Sequence, residues 1–541
     1  MFRIRPTNLS AFAGVLCTGL LLLCAGAAPL AAQELKQELK IAMKASVDSA
    51  DPHLLFTPNR NVLLHVYEPL VFQDRYLKPI AGLAESWTVV DPTTWEFRLR
   101  AGVKFHDGLP LTASDVVFSV KRAQAITGVR TYRHYLKDIA EITPVDDRTV
   151  RIKTFGPAAL LLSNLSTLGI VSQKTVESAS GDDVGSGKAA NGTGPYRWAG
   201  FIPSQQVNLE RNDAYWREKE PWAKVTIRFV PDDAARAAAL LSGDVDVIDV
   251  VPGSLRRKLA DAPGTKLVTD TSIFALYMHF DRFRDNSPFV AGLDGKPLAE
   301  NPLKDKRVLA AMSHAINRVA LAERIMDGGA EPAGQLAPPN FAGHDPKLAP
   351  PAYDPKKAKE LLAQAGYPGG FQLTIHCMNN RYSGDVQTCQ AIASMFTAVG
   401  IRTKVEALPI ATFFRRQRGG GANGEPEFSS YLAIFGSSSG DQILALVTLM
   451  QTNDDAKGVG GNNNGRYSNP EVDRLILKAQ ETLDDAERES IMHRVMGIAM
   501  AENAVMPIYF LKSSWGVSRK LNLAPSGDQY TKATNIRPAK P

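Results

Sequence analysis

The chain is 541 residues long, with 44% hydrophobic, 22% charged and 8% aromatic residues, the proportions of a polypeptide that packs a core. Its formal net charge of +6 is small for that length and argues against nucleic acid as a partner.

At the N-terminus, Arg3 and Arg5 precede an uncharged stretch over residues 9–32 that contains Leu20, Leu21, Leu22 and Leu23. This is the composition of a signal peptide, and Ala27, Ala28, Ala31 and Ala32 ahead of Gln33 and Glu34 place cleavage near Ala32. The alternative is an uncleaved anchor, since about 20 apolar residues can span a bilayer. Cys17 and Cys24 follow Leu16 and Leu23, where a lipidation signal needs a small residue, so an unlipidated protein is expected. Removing Arg3 and Arg5 with the leader leaves 60 basic against 56 acidic residues, a net +4. The roughly 510 residues that remain exceed one core and imply two or three domains.

Short apolar runs rich in β-branched and aromatic residues predict strands at 95–99, 225–230, 245–250, 274–280 and 432–435. Thr112 is a candidate cap for a helix through Val116, Val117 and Val120. Asp354 with Pro355 opens a helix that Gly366 closes, and Asn469 with Pro470 starts another through Val472, Leu475, Ile476 and Ala479. Residues 419–424 and 458–465 are Gly- and Asn-rich loops, and no solenoid repeat is present. Strands and helices thus alternate along an α/β chain.

Few motifs could carry catalysis. Residues 181–189 (GDDVGSGKA) miss a phosphate loop, because five residues separate Gly181 from Gly187 and Ala189 stands where the metal-binding hydroxyl is needed. His106 beside Asp107 lacks the further spacing of a metal site. Gly436, Ser437, Ser438, Ser439 and Gly440 fit G-x-S-x-G between a predicted strand and a helix over 443–450. A serine hydrolase built on Ser438 would need His493 as base and an acid such as Asp473. No HGGG-type segment lies upstream, and His493 falls in an amphipathic helix beside Ile491 and Val495; the chain is therefore expected not to be an enzyme. No cofactor or metal is expected. Cys377, closing the apolar run Phe371, Leu373 and Ile375, and Cys389, in a helical stretch with Ile392, Met395 and Phe396, are either a disulfide joining strand to helix or two buried thiols.

Residues 76–122, YLKPIAGLAESWTVVDPTTWEFRLRAGVKFHDGLPLTASDVVFSVKR, resemble the signature region of the family 5 extracellular solute-binding proteins, which serve ABC importers of dipeptides, oligopeptides and nickel. The resemblance continues through Gly192 to Tyr196, Arg211-Asn212, Tyr215-Trp216, 241–246, 305–317 and Tyr467 to Pro470. It implies a two-lobed periplasmic binding protein fold, type II and cluster C-like, with an extra subdomain inserted in the first lobe. By that resemblance 33–272 plus 510–541 form the first lobe, with the subdomain at about 77–188, and 273–509 form the second. It implies a periplasmic monomer that closes on a small solute, an oligopeptide first of all, and hands it to permease subunits in the inner membrane. An opine, oligosaccharide or metal chelate is the alternative cargo.

In peptide-binding members a second-lobe aspartate pairs with the peptide amine and an arginine with its carboxylate. Laid on that pattern, Ser438 stands at the acid's position, with Asp441 at a later aspartate and Arg381 near the arginine's. The binding residues expected are Asn379, Arg381, Tyr382, Phe435, Ser437, Ser438 and Asp441 from the second lobe, Thr57 and Asn59 from the first, and Tyr277 on the strand that opens the second. Loops after strand ends are where such folds bind ligands.

Overall fold

The computed structural model describes residues 38–128, 130–379, 381–437 and 439–540. The expected leader over residues 1–32 and Ser438 lie outside the described residues.

A mixed sheet of twelve strands runs through the molecule. On one side Glu38–Met43 pairs in parallel with both Lys224–Phe229 and Val247–Ile248, and Gln206–Arg211 and Tyr196–Ile202 extend the sheet antiparallel. On the other side Gln372–Asn379 runs parallel to Arg402–Pro409 and to Ser430–Phe435. Two long strands, Thr265–Phe280 and Met506–Ser518, join the sides in one antiparallel ladder from Thr265 opposite Ser518 to Met278 opposite Met506. Val247–Ile248 docks on one end of that ladder, at Gly516 and Val517, and Ser430–Phe435 docks along the other, at 275–280. The register slips between Thr271 and Ala275, midway along the crossing.

Side-chain alternation explains how Thr265–Phe280 organises the second side. Leu276, Met278 and Phe280 enter one core with Val308, Leu309 and Phe396, while Ala275 and Tyr277 enter the opposite core with Tyr431, Ile443 and Leu446. Both sheet faces are covered, which is why this stretch is apolar without a polar face. The predicted strand at 274–280 is therefore the buried end of a sixteen-residue strand.

A separate four-stranded antiparallel sheet, Ala84–Asp91, Thr94–Leu99, Thr149–Thr154 and Ile139–Asp146, packs under the helix Ala113–Ala125. Trp95, Phe97 and Leu99 are buried there, and Trp87 lies at the edge of the cluster. Thr112 donates its hydroxyl to Asp115 Oδ2 at 2.8 Å, and the same oxygen takes the Thr112 backbone N–H at 2.9 Å, fixing where that helix starts. The two other helix starts expected from the sequence have the same kind of anchor. Asp354 Oδ1 accepts from Lys357 N at 2.9 Å, and Asn469 Oδ1 from Glu471 N at 2.9 Å. Residues 181–186 form one short helix capped by Ser180, which explains their mixture of Gly and Asp without a phosphate.

The strand expected at 245–250 shrinks to Val247–Ile248. Arg236, fully buried, donates to the carbonyls of Val230, Asp249 and Val250 at 2.9, 3.2 and 3.0 Å. Val250 is turned to φ +46°, which a β-branched residue rarely adopts, and the ladder cannot continue through it.

Candidate ligand-binding site

The parallel strands Gln372–Asn379 and Ser430–Phe435 end on the same sheet edge, so the loops that follow them lie side by side. Across the crossing ladder, the loop after Val247–Ile248 approaches the first of these. Such carboxyl-end loops are where open α/β sheets receive ligands. The loop after Gln372–Asn379 and the loop after Val247–Ile248 enclose a cavity of about 200 Å³, which the serine loop after Ser430–Phe435 does not line. Val250, Val251 and Arg256 line it from one side, Arg381 and Tyr382 from the other, and Lys512 and Ser513 of the crossing strand form its wall.

The cavity's chemistry is one-signed. Arg256, Arg381 and Lys512 line it, and among the described residues no carboxylate does. Arg381 is exposed; its backbone N–H donates to Asp385 Oδ2 at 2.8 Å, and its guanidinium has no partner among the described residues. Arg256 is only 6% exposed and likewise makes no hydrogen bond or ion pair among the described residues. Burial pulls its pKa down, and Asp327 counters only through its charge. Tyr382 Oη and Ser513 Oγ are buried within the protein and have no hydrogen-bond partner among the described residues. A nearly buried arginine without a counter-charge in contact, beside two further cations on one space, marks a place for an anionic ligand group.

The segment around Cys377 and Cys389 holds this loop in place. The structure bonds the two sulfurs, tying the end of strand Gln372–Asn379 to the helix Asp385–Ala398 and closing the loop that carries Asn379, Arg381 and Tyr382. Asn379 is half-buried as the strand's last residue.

The serine loop is packed between the two sides. Ser437 and Ser439 are buried, their hydroxyls 2.7 Å apart, and Gln73 Nε2 from the first side donates to the Ser439 carbonyl at 3.1 Å. A Cβ on Gly436 would lie 2.4 Å from the Phe274 ring, and one on Gly440, at φ +81°, 2.3 Å from Leu77 Cβ. Both glycines thus answer to close packing, which accounts for the G-x-S-x-G spelling without chemistry. Asp441 is buried, its pKa raised by that burial; it lies 3.6 Å from Arg488 and accepts from Ile443 N at 3.0 Å. His493 pairs with Glu489 at 3.3 Å and Asp473 accepts from Thr452 Oγ1 at 2.6 Å, so these two have other partners than each other.

The remaining expected residues are spread out. Phe435 is half-buried opposite Ala275, and Tyr277 is buried in the second core beside His279. Thr57 is exposed at the start of helix Thr57–Leu63. Asn59 is buried, accepting from Asp48 N at 3.0 Å and donating to Asp48 Oδ1 at 2.8 Å. Neither lines the cavity. Sequence reasoning missed Arg256, Lys512 and Ser513. Arg256 follows Pro252-Gly253 just past a strand end, a signal that was available; Lys512 and Ser513 carry none.

A larger cavity of about 700 Å³ lies around Glu68. Its charges cancel in pairs such as Lys532 with Asp528 at 3.1 Å and Arg537 with Glu220 at 2.8 Å. Glu68 itself accepts from Thr193, Tyr215 and Trp216 at 2.8, 2.6 and 2.9 Å, while burial raises its pKa to about 7. Among the described residues no group of three or more His, Cys, Asp or Glu is placed to hold a metal ion.

Comparison with known proteins fits this geometry. The profile of the bacterial extracellular solute-binding proteins, family 5, matches residues 78–450. The chain is 28% identical over 456 residues to the glutathione-binding protein GsiB of Pectobacterium atrosepticum, covering 83% of this chain and 84% of that one. Its fold superposes on HbpA2 of Haemophilus parasuis with a TM-score of 0.80, 22% identity and coverage of 93% of this chain and 100% of that one. It also superposes on the periplasmic binding protein DppA of Helicobacter pylori in complex with the peptide STSA, with a TM-score of 0.70, 24% identity and coverage of 93% and 98%. The fold is that of the two-lobed periplasmic binding proteins, and the chain belongs to the family 5 extracellular solute-binding proteins, the binding components of ABC importers.

Proposed function

We propose that the protein captures a short peptide or peptide-like solute between its lobes and presents it, closed, to the permease of an ABC importer. The observation that carries this is the cavity beside the crossing ladder, lined from both lobes and holding the unpartnered Arg381, a residue suited to a peptide's terminal carboxylate. Support comes from the relative named for glutathione binding and the structural neighbour that holds a peptide. Contacts from both lobes favour the closed form by as much as the ligand's differential affinity for it.

In this reading 33–272 with 510–541 form the first lobe, about 77–188 its inserted subdomain, and 273–509 the second lobe, the hinge being the register slip at Thr271–Ala275. The mature protein is an unlipidated periplasmic monomer, its leader removed near Ala32. No helix among the described residues is long and apolar enough to cross a membrane. Mass spectrometry of material released from protein purified under native conditions tests the cargo: a peptide is expected, and an opine, sugar or metal chelate in its place would overturn the peptide reading. Arg381→Ala is expected to weaken peptide binding; because the side chain is exposed, the loss belongs at the low end of the ~2–5 kcal/mol of a buried charge contact.

A further inference from the structure

The buried Arg256 sets a second requirement on the ligand. A guanidinium on a residue only 6% exposed, without a counter-charge in contact, is costly, and here Arg256 lines an open space that Lys512 also lines. Lys512 Nζ has no hydrogen bond or ion pair among the described residues either. The nearest opposing charge that Arg256 feels, Asp327, does not line the cavity. The space, about 200 Å³, is below the ~300–1,000 Å³ of a whole small-molecule site, so it suits one end of a ligand whose remainder lies in the cleft.

We propose that this cavity is an anion subsite in which Arg256 and Lys512 hold a carboxylate, while the exposed Arg381 meets a second negative charge on the same solute. The preferred cargo is then a small solute with two carboxylates, such as a short peptide with an acidic side chain. The inference rests on the capture reading above and narrows it. Val250, held at φ +46° by Arg236, positions the lip of the subsite from the first lobe, so lobe closure and anion binding share a wall.

Glutarate, with uncharged glutaramide as control, is the probe. Glutarate is expected to raise the thermal midpoint of the wild-type protein in a saturable way, glutaramide is not, and Arg256→Gln is expected to weaken glutarate at least about tenfold. Lys512→Gln, at a half-buried position, guards against a folding defect in the arginine variant, with circular dichroism as the check on both. Glutarate binding equally to wild type and both folded variants, or glutaramide binding as well as glutarate, overturns the subsite. Titrations with Ala-Ala-Ala and Ala-Glu-Ala separate the two readings. Glutarate binding without peptide binding sinks peptide capture and keeps the subsite; both peptides binding alike, with glutarate inert, does the reverse.

Discussion

Replacing Gly440 by alanine probes how the serine loop is held between the lobes, and the structure contains its own control. Gly440 has φ +81° and Gly424 has φ +80°, so a Cβ at either incurs the same left-handed penalty, about 1–2 kcal/mol. The two sites differ in what that carbon meets. At Gly424 nothing lies within 4 Å; at Gly440 Leu77 Cβ is 2.3 Å away and the Leu77 carbonyl oxygen 2.6 Å. One of those atoms is backbone, in a turn where Leu77 itself sits at φ +65° and Asp74 Oδ1 binds the N–H groups of Tyr76 and Lys78, so it cannot swing aside. Overpacking of that kind adds about 1–3 kcal/mol. Gly424→Ala is thus expected to cost about 1–2 kcal/mol and Gly440→Ala about 2–5 kcal/mol. Urea unfolding followed by tryptophan fluorescence, with matched slopes, reads the difference. Equal losses for the two variants would refute the claim that the loop is wedged against the turn at Leu77.

Other outcomes follow from described contacts. The Cys377–Cys389 bridge, with a sequence separation of 12, should contribute roughly 3 kcal/mol, and unreduced, unfolded protein should show no free thiol from this pair; two titratable thiols would show that the pair is not bonded. His53 and His65 are fully buried with pKa values lowered to about 4, chiefly by desolvation, so in the folded state they stay neutral where the unfolded chain takes up protons. Stability should therefore be full above about pH 6.5 and fall towards pH 4, each imidazole contributing up to about 1.4 kcal/mol per pH unit, and a urea midpoint unchanged between pH 7 and 5 would contradict this. A fluorophosphonate probe should leave the protein unlabelled, and labelling that Ser438→Ala abolishes would restore the hydrolase.

What was legible in the sequence divides along physical lines. The strand at 274–280 was visible because both its faces are buried, but its extension back to Thr265 was not: Lys266, Thr269, Asp270 and Thr271 lack apolar alternation and are held as a strand by Met506–Ser518, far along the chain. Helix starts at Thr112, Asp354 and Asn469 were readable because a cap acts within three residues. Arg381 and Tyr382 stood out through their place between a strand end and two cysteines. Arg256 had its place just past a strand end as a signal, but within GSLRRKL it reads as a surface cation, and its burial comes from packing near Gly329, which no local pattern encodes. Asn59 shows the opposite error, a polar loop residue that Asp48 satisfies internally. The two-lobed architecture was read from resemblance; periodicity alone did not contain it.

The crossing ladder also has a consequence in time. Thr265–Phe280 lies midway along the chain, yet its antiparallel partner over most of its length, Met506–Ser518, comes near the end, and Val247–Ile248 leans on that same late strand. A chain emerging end-first, from a ribosome or a membrane pore, has no means of closing its central sheet until almost all of it is out. Long-range pairing of this kind is slow and leaves strand edges open in the interval. The ladder that joins the two sides of the sheet also keeps the polypeptide unfinished, and still threadable, until its last strands arrive.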